Sequence, residues 1–266
     1  LANNIRPIFL KGTGNLLASL YEDIAERMVG DIDFIFSKED YPKAITILRG
    51  SGYSEVKKKD YYPPNERRHY RRLHKEGLVA AIEIHSEILD IKKYRKEFNY
   101  NFLAKDCQII EGISVLSYAN KLNLSIIANQ INDSGFEYKT MALRNAYDVF
   151  VLSKKTNAKA AVNALDKLSH PLHCFLAACY EVFNEPNSLT YNHNQETDVY
   201  LNNFQEQFTK PKQQQYKINK IYRFIKRAFY VFYKSIINKE YRVFLFKSLN
   251  DKNWYNEKMI QLGLKK

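Results

Sequence analysis

Gly30-Asp31-Ile32-Asp33-Phe34-Ile35-Phe36 sets two carboxylates two residues apart inside an apolar run. Branched and aromatic residues of this kind favour a strand, where successive side chains point to opposite faces. Asp31 and Asp33 then share one face, and Ile32 and Phe34 take the other. Two carboxylates about 4 Å apart repel by roughly 4 kcal/mol at an effective dielectric near 20, so a site that keeps both ionised wants a cation. Mg2+ suits it, being an oxygen-seeking ion held by one or two carboxylates together with substrate phosphates. Asp-X-Asp also occurs in turns, at helix caps and on solvated strand faces, so the flanking sequence has to decide.

Upstream, Ile8, Phe9 and Leu10 form an apolar run that meets Lys11-Gly12-Thr13-Gly14, and helix-like spacing follows through Leu20, Ile24 and Met28. A glycine-rich turn lets backbone N–H groups approach a phosphate, and a helix starting there adds its positive end. Downstream, the run from Leu78 to Ile88 carries Glu83, His85 and Glu87 in alternation with Ile82, Ile84 and Ile88. That alternation predicts a second strand able to supply a third carboxylate.

These pieces, in this order, resemble the nucleotidyltransferase superfamily with its polymerase-beta-like fold. Within it they resemble a group of uncharacterised bacterial nucleotidyltransferases with a leucine-lysine-glycine opening. Leu10-Lys11-Gly12 matches the opening; Tyr21 and Arg27 precede the acidic strand; Gly52-Tyr53 closes the following helix; Ile82-Glu83-Ile84-His85 matches the strand of acid, apolar residue and histidine. Leu143-Arg144-Asn145-Ala146-Tyr147-Asp148 is similar to the helix after the catalytic core. The chain departs from the superfamily in two places. Gly12-Thr13 stands farther from Asp31 than the usual glycine pair, which implies a longer intervening helix, and the third acid is Glu83 where Asp is commoner.

The resemblance implies that Asp31, Asp33 and Glu83 are the catalytic, metal-holding acids, with Mg2+ as cofactor and Mn2+ as its substitute. Lys11, Gly12, Thr13 and Arg27 would contact the triphosphate. Lys11 reads equally as a solvated lysine at a strand end, and Arg27 as a charge at a helix end. His85 reads as a hydrogen-bonded structural residue, as an orienter of Glu83, or as a group on a substrate hydroxyl.

The chain has 266 residues and three widely spaced cysteines, which give no disulfide framework and suit a reducing cytoplasm. No leader peptide is evident, and no apolar run is long enough to cross a bilayer. The net charge of +12 favours polyanionic partners. Lys57, Lys58 and Lys59 precede a turn-rich stretch, and Arg67, Arg68, Arg71, Arg72, His74 and Lys75 then crowd an expected hairpin arm turning at Glu76-Gly77, with Tyr61, Tyr62 and Tyr70 as stacking rings. The arm reads as a solvated face or as a landing strip for triphosphate or nucleic acid. His170, His173, Cys174 and Cys179 lack the paired spacing of a zinc site and read as buried structural groups.

Beyond residue 90 the periodicity turns helical, over 122–131, 141–152, 158–168 and 171–183, with polar connections at 184–195 and 210–215. The expected class is α+β: a nucleotidyltransferase domain with a mixed sheet over residues 1–115, then a helical, acceptor-binding domain over 116–266. Residues 216–239 form a basic amphipathic segment that reads as a core-packing helix more readily than a membrane-surface one. The functional expectation is a Mg2+-dependent nucleotidyltransferase. It would move a nucleoside monophosphate from a nucleoside triphosphate to an acceptor such as tRNA or another nucleotide, as in toxin and antiphage relatives. The alternatives are a nucleic-acid-binding protein with an inactive nucleotidyltransferase fold, and a membrane-surface or protein-interaction subunit.

Overall fold

The computed structural model describes residues 3–56, 67–209 and 212–265, with the side chains of 212–217 and 261 left aside. The basic and aromatic residues Lys57, Lys58, Lys59, Tyr61 and Tyr62 lie outside the described residues.

Among the described residues seven strands form one mixed sheet: β1 (Ile8–Phe9), β2 (Asp31–Ile35), β3 (Ser54–Glu55), β4 (Leu73–His74), β5 (Ala81–His85), β6 (Cys107–Ile110) and β7 (Ile113–Leu116). Their order is β3-β4-β5-β2-β1-β7-β6. The β2–β5 and β1–β7 pairs are parallel and the others antiparallel. The α+β class is therefore observed.

Each face of the sheet buries a different core. Ile32, Phe34, Ile82, Ile84 and Leu73 pack with α2 (Tyr41–Gly50). Gly52, at φ +88°, makes the left-handed turn that ends this helix and returns the chain through Tyr53 N–H to Leu48 C=O. On the other face Ile8, Leu10 and Ile35 join a core with Leu122, Ile126, Val149, Leu152 and Phe175. These come from α4 (Tyr118–Ile127), α6 (Leu143–Ser153) and α8 (Ser169–Val182). Ser117 caps α4 by accepting from Asn120 N–H, and a π turn over Ala128–Asn132 continues it.

Two expected elements differ. The segment between the glycine stretch and β2 is not one long helix: α1 (Lys11–Leu17) is short, and a 3-10 turn follows at Ile24–Glu26. Ser19 sits in the left-handed region, and Asp23 opens the turn in a capping box with Glu26. Leu20 is buried, but Ile24 and Met28 are exposed, so their helical spacing has no helix beneath it. The polar stretch 210–215 is helical from Lys212 onward, because α10 (Lys212–Ile237) begins there. The helix α9 (Gln195–Thr209) had no counterpart in the apolar pattern; it buries only Thr197, Tyr200, Leu201 and Phe204 along a polar sequence.

By compactness the chain divides into a unit of Leu1–Lys57 with Arg68–Phe204 and a second unit built on Gln205–Lys266. The 115/116 boundary expected from sequence falls inside β7, and the helices after it share the sheet's own core. In the second unit α10 lies with α11 (Lys239–Leu249) and α12 (Lys252–Gln261), where Val231 and Tyr241 are buried. The stripe expected to bury, Ile218, Ile225, Phe229, Phe232 and Ile236, is exposed instead. The opposite side of α10 carries Phe224 and Val231, which line a cavity of about 310 Å³ with Phe244, Leu245 and Trp254. No helix among the described residues is long and apolar enough to cross a membrane.

Candidate active site

The parallel β2–β5 register sets Asp33 beside Glu83 and Ile35 beside His85. Alternation along each strand then brings Asp31, Asp33, Glu83 and His85 onto one face. Leu10 N–H donates to Asp33 C=O at 2.9 Å, which fixes the start of α1 against this face. Lys11, held at φ +50°, places its ammonium 2.5 Å from Asp33 Oδ1. His85 Nε2 lies 2.8 Å from the same oxygen.

Burial works against an ionised Asp33, but the His85 hydrogen bond and the Lys11 ammonium outweigh it and hold the carboxyl below its ordinary range. Burial also lowers His85, and more strongly than the Asp33 hydrogen bond raises it. A neutral ring beside an ionised carboxylate donates from Nε2, which leaves Nδ1 as a buried acceptor with no partner among the described residues. Burial raises Asp31 against the opposing pull of Arg72, and the nearby Glu83 and Asp33 charges add to the rise.

The donor set fits a divalent ion. Ligand atoms of Asp33, Glu83 and His85 all lie within 4.8 Å of one another. Asp31 Oδ1, Asp33 Oδ2 and Glu83 Oε2 accept no hydrogen bond among the described residues, so each acid keeps an oxygen for a cation. The grouping is not quite the one the sequence suggested. His85 stands within it, while Asp31 lies outside it, two residues along β2.

The other expected residues take mixed positions. Gly12 is buried, and a Cβ there would meet Val29 at 2.9 Å and the Arg27 guanidinium at 3.2 Å. Thr13 Oγ1 is 3.5 Å from Asp31 C=O. Arg27 is not gathered with the acids. Its Nε donates to Asp148 at 3.0 Å and its Nη1 to Met28 C=O at 2.7 Å, beneath the Gly12 segment. Tyr21 OH donates to the same Asp148 at 2.7 Å and accepts from Asn15.

The basic arm forms as a β4–β5 hairpin, with Gly77 at φ +79° in its turn. Three of its arginines sit on the protein's own acids. Arg68 lies 3.5 Å from Asp90, Arg71 2.9 Å from Glu55, and Arg72 reaches Asp31 and Glu83. Tyr70, expected as a stacking ring, donates its hydroxyl to Glu55. Cys174 and Cys179 are thiols buried in the apolar cores, where burial suppresses their ionisation, and His173 bonds Asn163 and the loop residue Asn192.

The contact of Asp148 with Arg27 escaped the sequence reading, whereas Arg72 belongs to the basic arm that the sequence read as a solvated face or a landing strip for triphosphate. For Arg72 a signal existed: Leu73 faces the α2 core, so its neighbour in an alternating strand faces the acids. For Asp148, 121 residues from Arg27, none did.

Acids on paired strands beside a lysine at a glycine-rich helix start are the arrangement expected of a nucleotidyltransferase, and the sequence comparison places the protein in that class. Residues 1–183 match the family described as "Uncharacterised nucleotidyltransferase", and the chain belongs to it. No curated protein matches the chain.

Proposed function

We propose that the chain is a Mg2+- or Mn2+-dependent enzyme that transfers a nucleoside monophosphate from a nucleoside triphosphate to an acceptor hydroxyl or phosphate and releases pyrophosphate. The observation carrying this reading is the Asp33–Glu83 register pair, with Asp31 on the same face and Lys11 across from it. Asp31, Asp33 and Glu83 would hold the ion, with His85 packed against Asp33 in their midst. A divalent ion bound there neutralises triphosphate charge and lowers the pKa of an attacking hydroxyl.

The chain's own residues do the positioning, which supplies most of the rate in such transfers. His85 donates to Asp33 and keeps that carboxylate ionised and oriented. Lys11 gives a positive charge at the start of α1, and the Gly12 and Thr13 amides, early in the helix, have no intrahelical acceptor and would be open to a phosphate. Arg27 supports the Gly12 backbone from beneath, through Asp148, so its part in nucleotide binding is indirect. Acceptors that fit a protein of charge +12 are polyanions, a tRNA end or another nucleotide, in a toxin or antiphage-signalling setting.

The test is incubation with each labelled triphosphate and Mg2+, with and without total tRNA, scoring pyrophosphate release and the mass shift of the acceptor. Turnover that disappears in Asp33→Asn and in Glu83→Gln, both still folded, supports the assignment. Turnover that persists in both variants removes these acids from the chemistry. The second reading, a nucleic-acid binder without turnover, rests on the net charge. It requires RNA affinity to fall steeply with salt in a protein that releases no pyrophosphate.

A further inference from the structure

We propose that Arg72 is a phosphate ligand of this site, held in reserve on the acids and handed over when ion and triphosphate arrive together. The inference rests on the nucleotidyl-transfer reading of the same acids. Arg72 Nη2 lies 2.8 Å from Asp31 Oδ2 and 3.1 Å from Glu83 Oε1, and Nε lies 3.3 Å from that Glu83 oxygen. One guanidinium thus bridges the two acids that flank Asp33 on β2 and β5.

Its setting is that of an exchangeable group. The Arg72 side chain is 48% exposed, whereas the Arg27–Asp148 pair, a structural one, is 9% and 4% exposed at its two ends. A divalent ion approaches carboxylate oxygens to about 2.1 Å and carries twice the charge, so it and the guanidinium compete for Asp31 and Glu83. Once displaced, the planar fork of five donors matches phosphate oxygens better than any other side chain. The β4–β5 hairpin keeps it beside the acids throughout. Ion alone must then bind acids whose charge Arg72 already offsets, against the repulsion of its guanidinium, while ion with phosphate gives Arg72 a new partner. Arg72 therefore makes the site discriminate against a bare ion and in favour of an ion–polyphosphate complex.

Mn2+ and inorganic tripolyphosphate test this without a choice of base or acceptor. Free Mn2+ is read by electron paramagnetic resonance, and binding of preformed Mn2+·tripolyphosphate by calorimetry, in the wild-type chain and in Arg72→Ala and Arg72→Lys. In Arg72→Ala, Mn2+ alone should bind about fivefold or more tightly, and the complex about tenfold or more weakly. Arg72→Lys, which keeps the charge without the fork, should fall between. Opposite signs are the signature, since a merely structural arginine would weaken both and lower the melting temperature. Mn2+ affinity that is unchanged or weaker in Arg72→Ala overturns the role of Arg72 and leaves the acids' role standing. Absence of Mn2+ binding in every protein overturns the nucleotidyl-transfer reading along with it.

Discussion

The His85 ring nitrogen Nε2 lies 2.8 Å from Asp33 Oδ1, across the β2–β5 pair and two residues along from direct register. Both groups are buried, and both shifts make stability fall as pH falls. The folded Asp33 value is depressed, so its contribution is complete above the unfolded value near ~3.9 and is lost as pH drops through the folded one. The folded His85 value is also lowered, so the unfolded chain takes up that proton first and stability declines as pH drops below about 6.5. The urea midpoint of the wild-type protein should fall between pH 7.5 and pH 5, and His85→Gln should flatten that slope. His173, pushed down to about 4 by burial, has the same sign but is present in both proteins, so the difference between them reports His85. Parallel slopes would mean that the ring is not held neutral by its site.

Arg27 and Asp148 should behave as a buried ion pair. Removing one partner leaves a buried charge uncompensated, so Asp148→Asn or Arg27→Met alone should cost about 3–5 kcal/mol in chemical denaturation. Tyr21→Phe, which deletes one hydrogen bond to Asp148, should cost about 1 kcal/mol. The double variant Arg27→Met with Asp148→Asn should cost well under the sum of its two single variants. Strict additivity would contradict the pairing.

Gly14 and Gly50 make a matched test of the glycine segment. A Cβ on Gly14 would stand 2.7 Å from Phe9 C=O, a backbone atom that cannot rotate away, while a Cβ on Gly50 meets nothing within 4 Å. Gly14→Ala should destabilise by about 1–3 kcal/mol and weaken triphosphate binding, because α1 must shift from β1. Gly50→Ala should be neutral or stabilising by about 0.5 kcal/mol. Equal melting temperatures for the two variants would show that α1 is not packed as described.

Metal affinity should rank the acids. Without nucleotide, Asp33→Asn and Glu83→Gln each remove a member of the close group with His85 and should weaken Mn2+ binding by about 100-fold, while Asp31→Asn should weaken it by about tenfold or less. Equal losses from all three, read by titration of the Mn2+ resonance signal, would restore Asp31 to the inner group.

Strand residues were the most legible part of the chain. Period-2 alternation fixes facing without tertiary information, so Asp31 and Asp33 opposite Ile32 and Phe34, and Glu83 and His85 opposite Ile82 and Ile84, could be read directly. The apolar helices over 122–131 and 171–183 were equally plain, because their faces bury in one core. Ile24 and Met28 misled because spacing of three and four is necessary for a helix but does not exclude a helix stop at Ser19 and a capped turn opened by Asp23. The α10 stripe misled because the same periodicity describes a face that buries and a face that stays exposed.

By itself the sequence determined which side chains share a face, because that depends only on the local geometry of a strand or helix. It thereby set Asp31 with Asp33 on one face of β2, and Glu83 with His85 on one face of β5. Tertiary structure alone decided the partners: His85 rather than Asp31 in the close group around Asp33, Arg72 on Asp31 and Glu83, and Arg27 turned to Asp148. A charge selects its partner by distance in space, and strand register together with the packing of α6 sets those distances between residues that lie far apart along the chain.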